Sequence, residues 1–363
     1  MNMNTTRNIA VLAALALLAG ACGKTEPAGG QKDAQGAQTV LAVNFHAPAT
    51  KVAAQSESNE KMIRNVQIFV FRAGSGGDAG NLEIAASAGF DQELEASTGS
   101  FNGITLRCST GEREIWAVVN DARDHTSGPD AVATKDDFLA LTHDLKDARK
   151  DKLLMLGTSG ALTLHEGRED VDITVRRAAA SVILESVTQD FSSPAYQKNG
   201  VFRVEDCYLL NVPGRVNFAG SIEPSTLPTE AWYARMEAQT NLPEGLIYDR
   251  VTPKLLNYGD VDTTPHAFYA YPNDCAPSED ASWCARSTLL VLEASVYNGH
   301  DWQKYYYPVA ITGGLEANKQ YRVNLILHRP GTLDVNRPVK IEDVTTVVRV
   351  SDWDSGDRYD QDI

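Results

Sequence analysis

Hydrophobic and polar residues alternate in a short segment near the start of the chain. One side of an extended backbone would carry Thr39, Leu41, Val43 and Phe45, and the other side would carry Val40, Asn44 and His46. This period of two predicts a half-buried β-strand that ends at Pro48. Residues 52–61 are mostly small or polar, which predicts an exposed loop that a protease can enter. The first strand is therefore joined to the rest of the chain by a loop that a protease can cut.

Strand-forming residues recur at short intervals along the rest of the chain. Further strands are predicted at 64–72, at 106–120 as a pair that turns at a glycine, and at 160–164, 171–175, 176–185, 203–212, 287–297, 305–311 and 320–327. One clear helix is predicted at 136–152, where Phe138 and three leucines have roughly helical spacing. Many short strands with few helices predict a mainly β protein of two β-sandwich domains, with a boundary at Arg176-Arg177.

The last apolar segment, 339–353, predicts a strand followed by an acidic tail. Val344, Val348 and Val350 share one face of this strand, while Val347 and Trp353 lie on the other. A terminal strand with no later partner in the chain is an exposed sheet edge unless something covers it.

The first residues indicate export. An uncharged run at 9–21 is short for a membrane span and predicts a signal peptide over 1–21. Cys22 then resembles the lipidated cysteine of a lipobox, although Ala19 stands where the usual pattern has Leu, Val or Ile. Lipidation of Cys22 is the prediction, and ordinary secretion is the alternative.

Four cysteines remain beyond Cys22, so an exported chain could form two disulfides. Cys275 and Cys284 bracket a short loop and are the predicted pair. Cys108 and Cys207 lie in apolar contexts and are interpreted as buried thiols. No spacing of cysteine and histidine predicts a metal site.

Length and charge narrow the class of protein. A chain of 363 residues predicts about two domains. A net charge of −15 argues against nucleic acid as a partner. We find no second histidine of a zincin, no nucleophile elbow and no phosphate-binding loop before a helix, so no enzyme activity and no cofactor are predicted.

Six further segments stand out by their order and spacing: 21–24 (ACGK), 66–71 (VQIFVF), 106–113 (LRCSTGER), 176–180 (RRAAA), 305–309 (YYYPV) and 321–332 (YRVNLILHRPGT), leading to Trp353. In this order and spacing they resemble the FimA-like fimbrilins of Bacteroidales, the major fimbrial subunits of type V pili. The resemblance implies two transthyretin-like β-sandwich domains. It divides the chain into a signal peptide (1–21), a lipidated propeptide with a removable first strand (22–51), an N-terminal domain (52–176), a C-terminal domain (177–338), and a donor strand with an acidic tail (339–363).

The resemblance also implies a route of assembly. A lipidated precursor at the outer membrane would be cut between Lys51 and Val52 by a trypsin-like protease, with Lys61 and Arg64 as competing sites. Loss of the strand that carries Leu41, Val43 and Phe45 would open a groove. The C-terminal strand of another copy, with Val344, Val348 and Val350, would fill it. The expected partners are further copies, minor pilins, the protease, the outer membrane and surface receptors for adhesion, in an extracellular fimbrium.

Two other interpretations stay open at this point. Within the same family the chain could be a tip or anchor subunit. Outside it, the chain could be a glycan-binding outer-membrane lipoprotein, with a stacking platform built from Trp283, Trp302 and Tyr305–Tyr307.

Overall fold

The computed structural model describes residues 37–46, 60, 62–93, 100–198, 200–220, 222–235, 245–249, 251–280, 282–311, 313–337, 339 and 343–353. Strands dominate these residues, so the prediction of a mainly β fold is confirmed. The strands of the first half are β1 (Gln38–His46), β2 (Met62–Arg72), β3 (Leu82–Glu93), β4 (Ser100–Ser109), β5 (Gly111–Val119), β6 (Thr142–Asp144), β7 (Met155–Leu164), β8 (Gly167–Thr174) and β9 (Arg176–Arg177).

The second half contains both long and very short strands. They are β10 (Ala180–Gln189), β11 (Phe202–Leu210), β12 (Val212–Pro213), β13 (Arg215–Asn217), β14 (Trp232–Tyr233), β15 (Tyr248–Asp249), β16 (Lys254–Leu256), β17 (Val261–Asp262), β18 (His266–Ala270), β19 (Leu289–Tyr297), β20 (Trp302–Ala310), β21 (Lys319–Leu327) and β22 (Val344–Asp352).

Two sheets face each other in the first half. One has the order β4-β1-β8, with β1 antiparallel to β4 and parallel to β8. The other has the order β3-β2-β5-β7-β9. Apolar side chains from both sheets form one buried cluster between them, which includes Leu41, Ile68 and Ile115. The first half is therefore a β-sandwich.

The second half repeats this arrangement. Its first strand, β10, lies between antiparallel β18 and parallel β21, as β1 lies between antiparallel β4 and parallel β8. Its companion sheet, β15-β11-β19-β20, matches β3-β2-β5-β7 in strand order. The two sheets differ at this edge: β22 pairs with the outer edge of β21, whereas no described strand pairs with the outer edge of β8. At this edge β22 is an addition to the arrangement that the two halves share.

The chain passes from the first pair of sheets to the second between Arg177 and Ala180. The two halves share a larger apolar cluster, in which Phe138 of the first half packs edge-on against Phe218 of the second at 5.4 Å. Strand β6 of the first half also pairs with β13 of the second. The halves are therefore joined by a continuous core.

The prediction of a helix over 136–152 is wrong in its extent. The helix α1 covers only Lys135–Ala140, where the Thr134 hydroxyl accepts a hydrogen bond from the Asp137 N–H. The chain then extends as β6 and makes one 3₁₀ turn at Leu145–Asp147. Pairing of β6 with β13 supplies the backbone hydrogen bonds that a longer helix would have supplied, so tertiary context overrides the local periodicity.

A buried histidine at the junction of the halves makes stability depend on pH. His143 is 1% exposed, its Nδ1 lies 2.6 Å from the Tyr271 hydroxyl, and its Nε2 has no hydrogen-bond partner among the described residues. Burial lowers the pKa of His143 from its ordinary 6.5 and outweighs the Asp121 carboxylate, which acts in the opposite direction.

We therefore expect acid to destabilise the fold through His143. Below pH 6.5 the His143 side chain binds a proton in the unfolded chain but stays neutral in the folded chain. The free energy of unfolding therefore falls as the pH falls, by up to about 1.4 kcal/mol per pH unit. Urea unfolding between about pH 5 and pH 8 measures this slope. His143→Gln should flatten it, and His165→Gln, at an exposed site, should not. Equal slopes in all three proteins would contradict the assignment.

Candidate strand-exchange site

Strand β1 fills a groove between β4 and β8. Leu41, Val43 and Phe45 are completely buried and belong to the apolar core of the first half. Opposite Val43 stand Ile104 of β4 and Val171 of β8. The predicted alternation is confirmed, because Val40 and Asn44 on the other face are only partly buried.

The buried side of β1 contributes a large part of the core. Each fully buried Leu, Val or Phe side chain stabilises the fold by about 1.5–3 kcal/mol relative to its exposed state. Together the three side chains contribute roughly 5–9 kcal/mol, which is as large as the net stability of many domains. The first half is therefore expected to be poorly stable when the groove is empty.

The backbone of β1 is paired along both of its edges. It pairs with β4 from Gln38 to His46 and with β8 from Thr39 to His46. Removal of β1 would expose hydrogen-bonding groups on the facing edges of both neighbours, and such groups are costly when buried without partners. An extended segment of similar length is the structure that satisfies both edges at once.

The outer edge of β8 carries charge. Arg168 and Asp170 form an ion pair at 3.0 Å, and the amide of Asn44 donates to Asp172 across the strands at 3.2 Å. Charged side chains on an open edge oppose pairing with another chain. The open edge of β8 is therefore disfavoured as a place for pairing with another chain.

The C-terminal strand β22 is the edge of its sheet, as predicted. It pairs antiparallel with β21 alone. Val344 and Val348 are buried in the core and Val350 packs against it, whereas Thr345 and Arg349 are exposed. Trp353, predicted to lie on the opposite face, is also buried in this core at 6% exposure because it follows the end of the strand.

The processing residues lie outside the described part of the chain. These are Cys22, Lys51, Val52 and Lys61, and also the signal peptide and the acidic tail after Trp353. Arg64, the other competing site, lies in β2, where its N–H donates to Asn120 at 2.8 Å and its guanidinium pairs with Asp151 at 2.8 Å. A protease needs an extended, accessible backbone, so Arg64 is a poor site.

The four cysteines in the described part of the chain are free thiols. Cys275 and Cys284 are each partly exposed, and the predicted disulfide between them is not formed. The Cys284 sulfur instead lies 3.3 Å from Nη2 of Arg286. Cys108 and Cys207 are buried, one in the core of each half, and burial raises the pKa of the Cys108 thiol to about 11. Such thiols act as apolar packing groups.

The aromatic residues of the glycan-binding alternative do not assemble into one platform. Tyr307 is completely buried, and Trp283 packs edge-on against Trp232. Trp302 is 39% exposed, but the guanidinium of Arg203 lies over its ring at 4.7 Å. Arg203 therefore covers one face of the Trp302 ring, and Tyr307 offers no exposed face to a sugar.

The described residues contain no group of three or more histidine, cysteine, aspartate or glutamate side chains placed to hold a metal ion. Among their helices, none has both the length and the apolar character needed to cross a bilayer.

One buried residue near the site was missed by the sequence analysis. Glu60 lies two positions before the first residue of β2, was interpreted as part of the exposed loop, and is only 4% exposed. Its side chain accepts hydrogen bonds from Tyr269 and from Trp353. No local signal could have found it, because these partners lie 209 and 293 residues away along the chain.

Comparisons with known proteins agree with this architecture. Residues 37–192 match the family model of the major fimbrial subunit protein (FimA). A curated relative, the major fimbrium subunit FimC of Porphyromonas gingivalis, is 25% identical over 267 residues, which cover 69% of this chain. The chain spans about half the length of that relative, 49%.

Solved structures share the fold across most of the chain. A fimbrilin (FimA) from Porphyromonas gingivalis superposes with a TM-score of 0.59 at 15% identity, covering 86% of this chain and 97% of that one. A proposed cell adhesion protein from Bacteroides eggerthii superposes with a TM-score of 0.60 at 19% identity, covering 89% and 98%. Residues 37–192 are thus similar to the major fimbrial subunit (FimA) family, and the fold of most of the chain is similar to that of a solved fimbrilin.

Proposed function

We propose that this chain is a structural subunit of a cell-surface fimbrium, assembled by strand exchange. In this proposal a protease cuts behind β1, β1 leaves, and β22 of a neighbouring copy enters the groove between β4 and β8. The observation that carries the proposal is the position of β1. It is the central strand of its sheet, yet residues 47–61 alone link it to the chain that follows.

The energetic reason for exchange is the number of partners of β22. In its own subunit β22 is an edge strand with one neighbour, β21. In the groove it would have two neighbours, so more of its backbone groups would be paired. A strand that moves from an edge to the centre of a sheet gains hydrogen bonds on its second side.

The two strands match in length and pattern. Each has nine residues. The inward positions of β1 are Thr39, Leu41, Val43 and Phe45, and those of β22 are Val344, Thr346, Val348 and Val350. The side chains of β22 are smaller than Leu41 and Phe45. The exchange therefore depends on paired backbone as well as on apolar burial.

The remaining parts of the proposal concern the precursor. Cys22 would carry the lipid that holds the precursor at the outer membrane, and a trypsin-like protease would cut between Lys51 and Val52. The partners would be further copies and minor pilins in an extracellular fimbrium that mediates adhesion. The family match and the described geometry of β1 support this order of events.

Lys51→Gln tests the processing step. We expect trypsin to convert the full chain to a stable fragment that begins at Val52 and forms polymers, and we expect Lys51→Gln to remain a monomer with β1 in place. N-terminal sequencing and size-exclusion chromatography measure both outcomes. Lys61→Gln is the matched control and should be processed normally. A stable fragment that begins elsewhere, or one that begins at Val52 and stays monomeric, would contradict the proposal.

A further inference from the structure

The end of the C-terminal strand is held by a group of residues from three other segments. Trp353 follows β22 and is 6% exposed. Its ring stacks on Tyr269 of β18, with centroids 5.7 Å apart and planes at 20°. The guanidinium carbon of Arg177, in β9, lies 4.7 Å from the centre of the same ring. Stacking and cation–π contacts of this kind are strongest when buried.

Glu60 completes this group from the side of the processing loop. One carboxylate oxygen accepts a hydrogen bond from the indole N–H of Trp353 at 3.1 Å, and the other accepts from the Tyr269 hydroxyl. Its backbone oxygen accepts from Nη2 of Arg177 at 3.1 Å. Glu60 therefore binds Trp353 and also Tyr269 and Arg177, the two residues that contact the Trp353 ring.

At the C-terminal end of β22, the contacts of the strand itself are weaker than those of Trp353. Its last residue, Asp352, pairs with Lys319 at 2.5 Å, but about half of the Asp352 side chain is exposed, and exposed ion pairs contribute little. An edge strand with one neighbour separates most easily from its end. Trp353 is the large buried anchor nearest that end among the described residues.

We propose that Glu60, Arg177, Tyr269 and Trp353 form a latch that holds β22 on its own subunit until assembly. The latch links the segment behind the processing loop to the strand that leaves, so release of β22 requires the hydrogen bonds of Glu60 to break. The use of the latch in assembly rests on the proposed function. The role of the latch as a barrier to opening of β22 in the uncut monomer does not rest on the proposed function.

Cleavage weakens the latch through chain entropy. In the uncut chain, the segment before Glu60 is fixed at one end by β1 and at the other by β2. A cut at Lys51 leaves an arm of eight residues, 52–59, with a free end. A chain fixed at one end gains more conformations on release than a chain fixed at both, so unlatching becomes more favourable after the cut.

Hydrogen exchange of the β22 amides in the intact, uncut chain tests the latch. We expect Glu60→Gln to speed exchange of the amides of residues 344–352 about tenfold or more, since an amide side chain cannot accept both hydrogen bonds. Trp353→Phe keeps the ring but loses the N–H, and should produce a smaller increase in the same amides. Protection of β1 should not change in either variant.

Asp352→Asn is the matched control, because it breaks an exposed ion pair on the same strand and should change exchange less than about threefold. Wild-type exchange of β22 in Glu60→Gln would overturn the proposal. Equal acceleration of β22 and β1 would also overturn it, because that result indicates loss of global stability. Since the uncut monomer is measured, failure of the latch and failure of polymerisation are distinguishable.

Discussion

Replacement of Phe45 with alanine should lower the free energy of unfolding of the uncut chain by about 3–5 kcal/mol and leave the assembled polymer unaffected. Phe45 is completely buried in the core of the first half, so its truncation leaves a cavity there. In the proposed polymer β1 would be absent, so the same substitution would have no structure to disturb. Urea unfolding measures the first effect, and the temperature at which polymers dissociate measures the second.

Asn44→Ala is the control for this experiment. Asn44 lies on the same strand, is partly buried, and makes one hydrogen bond to Asp172. Its substitution should cost less than about 1.5 kcal/mol in the uncut chain. If Phe45→Ala weakened the polymer as much as the uncut chain, β1 would still occupy its groove after assembly, and the account would be wrong.

A chain that ends at Asp343 should be cut normally and should form no polymer. This truncation removes β22 and Trp353 but leaves the groove of the first half unchanged. It also uncovers the edge of β21 and removes Val344 and Val348 from the core, so some loss of stability is expected. Size-exclusion chromatography of the cut protein measures the loss of polymers, which should be complete.

A mixing experiment separates loss of donation from misfolding. The truncated, cut subunit keeps an open groove, so it should accept a strand and cap polymers grown from full-length subunits. We expect mean polymer length to fall as the truncated fraction rises. Unchanged polymer length would indicate that the truncated chain has lost its groove, or that β22 is not the donor.

Sequence patterns predicted the strands whose one face meets the core. β1 alternates and β2 and β5 are rich in β-forming residues, and the structure has all three close to their predicted bounds. The turn between β4 and β5 was also predicted, at Gly111, whose φ of +116° lies in the region that favours glycine. The position of β22 at a sheet edge followed from its being the last strand of the chain.

Other strands could not be predicted, because the hydrophobic pattern of their own residues is too weak. β3 is rich in alanine, serine and glycine, and was not predicted as a strand. The strands β15 to β18 have two to five residues each, and they exist because they pair with the long strands β10 and β11. Strands this short depend on their partners more than on their own residues.

The candidate site also has one part that the sequence predicts and another part that it does not. The buried side of β1 could be predicted, because alternation is a local property. The groove between β4 and β8 and the parallel pairing of β1 with β8 could not, because residues 128 positions apart make that contact. The latch at Glu60 depends on contacts that are longer still along the chain.

The most direct test of the account is to mix a subunit that can only donate with one that can only accept. Lys51→Gln keeps β1 in its groove and retains β22 as a strand that it can donate, whereas the cut chain ending at Asp343 has an open groove and no β22. We expect each protein alone to stay monomeric and the mixture to form a one-to-one heterodimer, measured by light scattering. A mixture that remains monomeric, or either protein forming polymers alone, would contradict strand exchange between β22 and the groove of β1.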